Sequence, residues 1–163
     1  MFKRFKPNFY YQHYTELTPE WLIKQKVKFI LADLDGTLAP DGEKEGEEFA
    51  AWYKSIEQAG VGLIVVSNNA QARVDDFVAR YKIVGFGKCQ KPLPKKIQEQ
   101  LFYKGLNPET TLFLGDQLFT DIWCANKLGL RSVMVESIPG KEDTFRKMKR
   151  VVEHTLLKRW KMR

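Results

Sequence analysis

The chain has 163 residues, 44% hydrophobic and 29% charged, with only seven prolines and eleven glycines, which excludes disordered, fibrous and low-complexity classes and fits one domain. Its longest apolar runs, such as residues 61–66, are about a third of the roughly 20 residues that a membrane-spanning helix needs, and no apolar stretch with a small-residue cleavage site opens it; it reads as neither membrane-spanning nor secreted. The net charge of +7 is uneven: residues 1–28 carry +4, residues 141–163 carry +6, and the middle carries −3, so two basic ends flank a slightly acidic centre and suit an anionic partner surface.

Residues 1–26 form a basic and aromatic arm with a short helix, opened by Thr18 as cap and Pro19 as first helical residue and running through Trp21, Leu22 and Lys26. The arm suits packing over a domain edge, with a membrane interface as the alternative. Residues 27–140 then alternate short apolar strands with stretches of period near 3.6, the pattern of parallel strands joined by crossover helices. Strands are expected at 27–32, 61–66, about 82–86, 111–114 and 131–135. The predicted fold is therefore α/β: a single three-layer, doubly wound domain on a five-stranded, mainly parallel sheet. Helical faces are marked by Phe49, Trp52, Ile56 and Ala59, by Val74, Phe77 and Val78, by Ile97 and Leu101, and by Ile122, Ala125 and Leu128. Residues 38–47 read as an exposed turn or flap. Residues 141–163 form a basic amphipathic helix, over about 142–161, whose stripe of Phe145, Met148, Val152, Leu156 and Trp160 is expected to pack on the core.

In an open parallel sheet, ligands bind beyond the carboxyl ends of the strands. The first expected strand runs into Asp33, Leu34, Asp35, Gly36 and Thr37, two carboxylates separated by one residue that points elsewhere. The second ends in Ser67, Asn68 and Asn69, which either cap the next helix or donate to a phosphate. Lys91 precedes Pro92 after the third, and the fourth leads into Gly115, Asp116 and, five residues later, Asp121. Several acids converging beside one lysine repel each other unless a hard cation is present, and oxygen-only donors favour Mg2+ over zinc. His13 and His154 lie in the terminal segments and read as surface residues, while Cys89 and Cys124, at a spacing that matches no metal cluster, are expected as reduced thiols in a cytosolic compartment. Dinucleotide and Gly-Lys-Ser/Thr phosphate loops are absent, against oxidoreductase and ordinary nucleotide hydrolase readings.

The order DLDGT, Ser67, Lys91 and GDxxxTD resembles the four motifs of the haloacid dehalogenase-like (HAD-like) hydrolase superfamily. More closely, DLDGTLAP at 33–40, SNNAQARVDDF at 67–77, Lys91-Pro92 and GDQLFTDIWCANKLG at 115–129 resemble the YqeG-like subfamily IIIA phosphatases, which include phosphatidylglycerophosphate phosphatase. Gly36 stands where close relatives often carry Asn, and Asp41-Gly42 where an aromatic often follows the proline. The resemblance implies Asp33 as nucleophile, Asp35 as general acid/base, Ser67 and Asn68 as phosphate binders, and Lys91 neutralising the nucleophile and transferred group. It implies Mg2+ held by Asp33, the Asp35 carbonyl and Asp116, with Asp121 in the outer shell. Only 34 residues separate Asp33 from Ser67, so no cap domain fits, and the open mouth suits a bulky or surface-bound phosphomonoester. The expected substrate is phosphatidylglycerophosphate, hydrolysed by a cytoplasmic enzyme peripheral on an anionic membrane surface. A cytosolic phosphatase of a soluble sugar phosphate, nucleotide or phosphoprotein is the first alternative and a nucleic-acid-binding protein on a HAD-like fold the second and weaker one; a stable nucleic-acid partner is not favoured, and the sequence leaves the oligomeric state open.

Overall fold

The computed structural model describes residues 2–140 and 144–162, with the side chains of 144–149 left out. Its sheet follows the alternating pattern, and successive side chains of each strand enter different cores. Ile30 and Ala32 of β2 (Phe29–Ala32), Leu63 and Val65 of β3 (Gly62–Val66), and Leu112 and Leu114 of β5 (Thr111–Gly115) face one side, while Leu31, Ile64, Val66 and Phe113 face the other. With β4 (Val84–Phe86) and β6 (Arg131–Val135) these are the five expected strands, and every pairing is parallel.

One strand exceeds the expectation. Phe9–Tyr11 of the N-terminal arm forms β1 and pairs parallel with β6, giving six strands in the order β1-β6-β5-β2-β3-β4. Asn8 sets its register, its N–H donating to the Ser132 carbonyl at 3.1 Å and its Oδ1 accepting from the Ser132 N–H at 2.8 Å. Phe5 is buried edge-on against Phe119 and Trp123, and Phe9 and Tyr11 both meet Trp21 edge-on, so these aromatics pack against the domain.

Three helices cover the first face: α1 (Pro19–Lys24), α2 (Glu48–Gln58) and α3 (Gln71–Ala79). The Thr18 hydroxyl accepts from the Trp21 N–H, as the cap predicts, but α1 stops short of Lys26, whose φ of 56° lies outside helical space. Phe49, Trp52, Ile56, Val74 and Phe77 are buried there, with Phe49 at 5.0 Å from the Phe77 ring centroid and 4.8 Å from that of Tyr81. The second face carries α4 (Lys95–Tyr103) and α5 (Trp123–Lys127) through Ile97, Leu101, Cys124 and Ala125. Both cysteines are free and buried, and burial pushes the Cys124 thiol up to about 12.

Of the stripe expected on the C-terminal helix α6 (Thr144–Arg159), Leu156 and, just beyond the helix, Trp160 pack on the core, and the structure corrects Val152. Among the described side chains of α6, Glu153, Leu156 and Leu157 are buried, against Leu118, Ile122 and Met134, whereas Val152 is half exposed. The buried place beside Val152 goes to Glu153, whose carboxylate accepts from the Leu118 N–H at 2.8 Å at the start of a π turn (Leu118–Ile122) that leads into α5. The Phe145 and Met148 side chains lie outside the described residues. No helix among the described residues is long and apolar enough to cross a membrane.

The aromatic cluster around Phe49 joins α2 and α3 to the sheet, so Phe49→Ala is expected to cost about 3–5 kcal/mol of unfolding free energy. Urea unfolding reads this directly, and an unchanged midpoint would contradict the assignment of Phe49 to the core.

Candidate active site

The sheet order reverses about β2, whose chain neighbour β3 lies on one side while β5 lies on the other, which opens a crevice beyond their carboxyl ends. Asp33 leaves β2 there, and its N–H still donates to the Leu114 carbonyl of β5 at 2.9 Å. The next turn is tight: Gly36 has φ 89°, and a Cβ on it would stand 2.5 Å from Asp116 Oδ2 and 2.8 Å from Ser137 Oγ. Any side chain at 36 would press on the carboxylate beyond β5, in a backbone conformation that glycine adopts most readily.

Lys91 holds the centre. Its side chain is 1% exposed, and its ammonium donates to Asp33 Oδ1 at 2.6 Å and to Asp121 Oδ1 at 2.7 Å. Asn68 fixes the backbone that delivers it: the Lys91 N–H donates to Asn68 Oδ1 at 2.7 Å, and Asn68 Nδ2 donates to the Lys91 carbonyl at 2.8 Å. Asn68, expected among the phosphate binders, thus directs its amide to the Lys91 backbone. Ser67 directly follows β3, buried, its Oγ accepting from the Asn69 N–H at 3.1 Å. Thr37 bridges two acids, its hydroxyl lying 3.3 Å from Asp33 Oδ2 and 3.2 Å from Asp116 Oδ1.

Asp33, Asp116 and Asp121 each present an oxygen within 4.8 Å of the others, all three residues buried. Asp121, expected in the outer shell, is thus part of this cluster; its Oδ2 also accepts from the Gln117 N–H at 3.1 Å. Burial, opposed by Lys91 and reinforced by Asp121 and Asp35, pushes the Asp33 carboxyl up to about 6. Asp116 is pushed well above the usual carboxylate range by burial and then by the Asp33 and Asp121 charges. Lys91 is driven the other way from a desolvated lysine: Asp121 and Asp33 outweigh its burial and hold it protonated. Three buried carboxylates sharing one ammonium form an electrostatic deficit of positive charge, and an all-oxygen donor set suits a hard divalent cation such as Mg2+.

Asp35 stands apart from this cluster. Its Oδ1 accepts from Arg73 Nε at 3.2 Å, Arg73 Nη2 at 3.0 Å and the Gly42 N–H at 3.0 Å, and its Oδ2 from Asn69 Nδ2 at 3.1 Å. On the far side Arg150 of α6 lies 3.5 Å from Asp116 Oδ2 and donates to Ser137 Oγ. Arg73, Arg150, Thr37 and Glu153 were not singled out as site residues by sequence reasoning. An arginine inside SNNAQAR, six residues after the serine, was the one available signal; Arg150 and Glu153 are indistinguishable from a solvated helix face until α6 is docked.

A family model described as "HAD-hyrolase-like" matches residues 85–155. The chain is 29% identical over 156 residues to "Probable phosphatase YqeG" of Bacillus subtilis (strain 168), covering 95% of this chain and 91% of that protein. Its fold is similar to that of an uncharacterised protein from Listeria monocytogenes serotype 4b, with TM-score 0.59, 13% identity and 72% and 84% of the two chains covered. It is also similar to 3-deoxy-D-manno-octulosonate 8-phosphate phosphatase from Moraxella catarrhalis, solved with magnesium and phosphate ions, with TM-score 0.51, 14% identity and 86% and 91% covered. Over the matched segment the chain is similar to HAD-like hydrolases, and its architecture is the capless core fold. Over nearly its whole length the chain is thus similar to the YqeG-type phosphatases.

Two outcomes test these electrostatics. Saturating Mg2+, at about 100 times its dissociation constant, is expected to raise stability by about 2.7 kcal/mol, or a thermal midpoint roughly 5–10 °C higher. Asp116→Asn is expected to raise the metal-free midpoint and abolish that response; a wild-type midpoint indifferent to Mg2+ would contradict the cation site. Glu153, pushed up to about 7 chiefly by burial, with the Leu118 and Phe119 N–H groups opposing, binds its proton more tightly folded than unfolded. Its contribution to stability is therefore present at low pH and lost as pH rises from about 4.5 to about 7, on the order of 3 kcal/mol in all. Denaturant titrations across that window should show a smaller decline in Glu153→Gln, and an unchanged slope would contradict the raised value.

Proposed function

We propose that the chain hydrolyses phosphatidylglycerophosphate to phosphatidylglycerol and inorganic phosphate at an anionic membrane surface. The observation that carries this reading is the uncapped mouth beside α6: Arg150 reaches Asp116, while the neighbouring Val151 and Val152 stand 68% and 50% exposed and Lys158 and Arg159 of the same helix are exposed. Apolar and cationic side chains on a helix at the mouth suit a lipid leaflet, which adds headgroup charge to apolar contact. The relation to YqeG-type phosphatases supports the chemistry.

In the proposed reaction an Asp33 carboxylate oxygen attacks phosphorus, the bond from phosphorus to the glycerol oxygen breaks, and Asp35 gives that oxygen its proton. Asp35 then takes a proton from water, the water oxygen bonds to phosphorus, and the bond from phosphorus to Asp33 breaks, releasing phosphate and regenerating the carboxylate. Lys91, held protonated, offsets charge on the nucleophile and on the transferred group. Ser67, whose Oγ already accepts from Asn69, retains its own proton to donate to a phosphoryl oxygen. Asp33, Asp116 and Asp121 would hold Mg2+, with the Asp35 carbonyl a further proposed donor, and the bound ion supplies additional positive charge at the phosphoryl oxygens.

Phosphate release from phosphatidylglycerophosphate in mixed micelles, dependent on Mg2+ and lost in Asp33→Asn with the fold retained by circular dichroism, is the expected outcome. Turnover of soluble phosphomonoesters with none of the lipid would overturn the substrate.

A further inference from the structure

Asp35 is held asymmetrically. Its Oδ1 is saturated by three N–H donors, two of them from Arg73, whereas Oδ2 carries one, from Asn69. Oδ2 is therefore the oxygen with lone-pair capacity left for proton transfer, and Oδ1 is the anchor. The anchor is unusual for a helix-surface arginine: the Arg73 side chain is only 16% exposed and its Nη2 also donates to the Glu43 carbonyl at 2.6 Å. One guanidinium thus joins the carboxylate to the 38–47 flap, and the Gly42 N–H of that flap reaches the same Oδ1. Further along, the flap is fastened to the same helix region by Glu45, which accepts from Arg80 Nη2 at 2.7 Å and from the Tyr81 hydroxyl. A planar guanidinium forks between two acceptors in a fixed geometry, which a lysine ammonium does not reproduce.

We infer that Arg73 is a positioning residue for Asp35, which locks Oδ1 to the flap so that Oδ2 is presented for proton transfer only when the flap is down. The inference rests on the acid/base role assigned to Asp35 above. Its chemical signature lies in the partition between the two half-reactions. A p-nitrophenolate leaving group departs with little help from an acid, whereas an alkoxide needs the proton, and both routes need Asp35 as base to hydrolyse the aspartyl phosphate.

Arg73→Met and Arg73→Lys are to be compared with wild type on an alkyl phosphate and on p-nitrophenyl phosphate, with rapid mixing. A misplaced acid/base costs about 10²-fold. In Arg73→Met, alkyl-phosphate turnover is expected to fall by about that factor, while p-nitrophenyl phosphate gives a burst of nitrophenolate near one per site followed by a slow steady rate. Arg73→Lys recovers part of the loss. Amide hydrogen exchange over residues 38–47 should quicken at least about tenfold in Arg73→Met, with exchange in the strands unchanged. Equal losses on both esters with no burst and a raised KM would overturn the role in favour of substrate binding, and unchanged flap exchange would overturn the coupling. A wild-type enzyme that releases phosphate from neither ester nor from phosphatidylglycerophosphate in mixed micelles would overturn the hydrolase reading, and this role with it.

Discussion

The structure of the site depends on one buried ion cluster, the Lys91 ammonium clasped between Asp33 and Asp121. A lysine without those partners would shed its proton on burial; with them it stays charged, and removing either carboxylate would leave a buried charge short of its compensation. The cluster explains local choices that otherwise look unconnected. Asn68 spends its side-chain amide on the Lys91 backbone, and Gly36 leaves room for Asp116 and Ser137. Gly115 has no side chain because a Cβ there would overlap Asp121. Each protects the placement of a charge that the sheet alone positions only coarsely.

One ammonium does not balance three carboxylates. The raised Asp33 and Asp116 record the imbalance, and the two arginines at its margins, Arg73 on Asp35 and Arg150 on Asp116, relieve it from opposite sides. A divalent cation would relieve it at the centre. Burial sharpens these effects, because charges shielded from water interact more strongly than exposed ones. The same physics that makes the crowded carboxylates costly makes them receptive to a metal ion and a phosphoryl group.

Much of this was legible in the sequence because the chemistry sits at strand ends, where a period of two changes abruptly into polar residues. Asp33, Ser67 and Asp116 announce themselves where apolar runs end, Lys91 is legible only by its place in their order, and the five main strands follow from the runs themselves. β1 was missed because three aromatic residues carry no alternation, and its pairing depends on Asn8 meeting Ser132 far along the chain. On α6 Leu156 and the following Trp160 pack as expected, but Val152 was misread because the buried place beside it goes to a glutamate that binds a π turn near Leu118, and hydrophobic spacing counts a glutamate as solvent-facing. Arg73 and Arg150 were hidden for a related reason: their partners lie 38 and 34 residues away, and a charge on a helix looks solvated until its neighbour is known.

The central claim is that phosphoryl transfer passes through the Asp33 carboxylate. Acid quenching during turnover of a radiolabelled phosphomonoester, followed by digestion, tests it most directly. The account predicts label on the peptide carrying Asp33, sensitive to hydroxylamine and absent from Asp33→Asn. Turnover of the same ester in wild type with no label on that peptide at any quench time, including under single-turnover conditions, would contradict it.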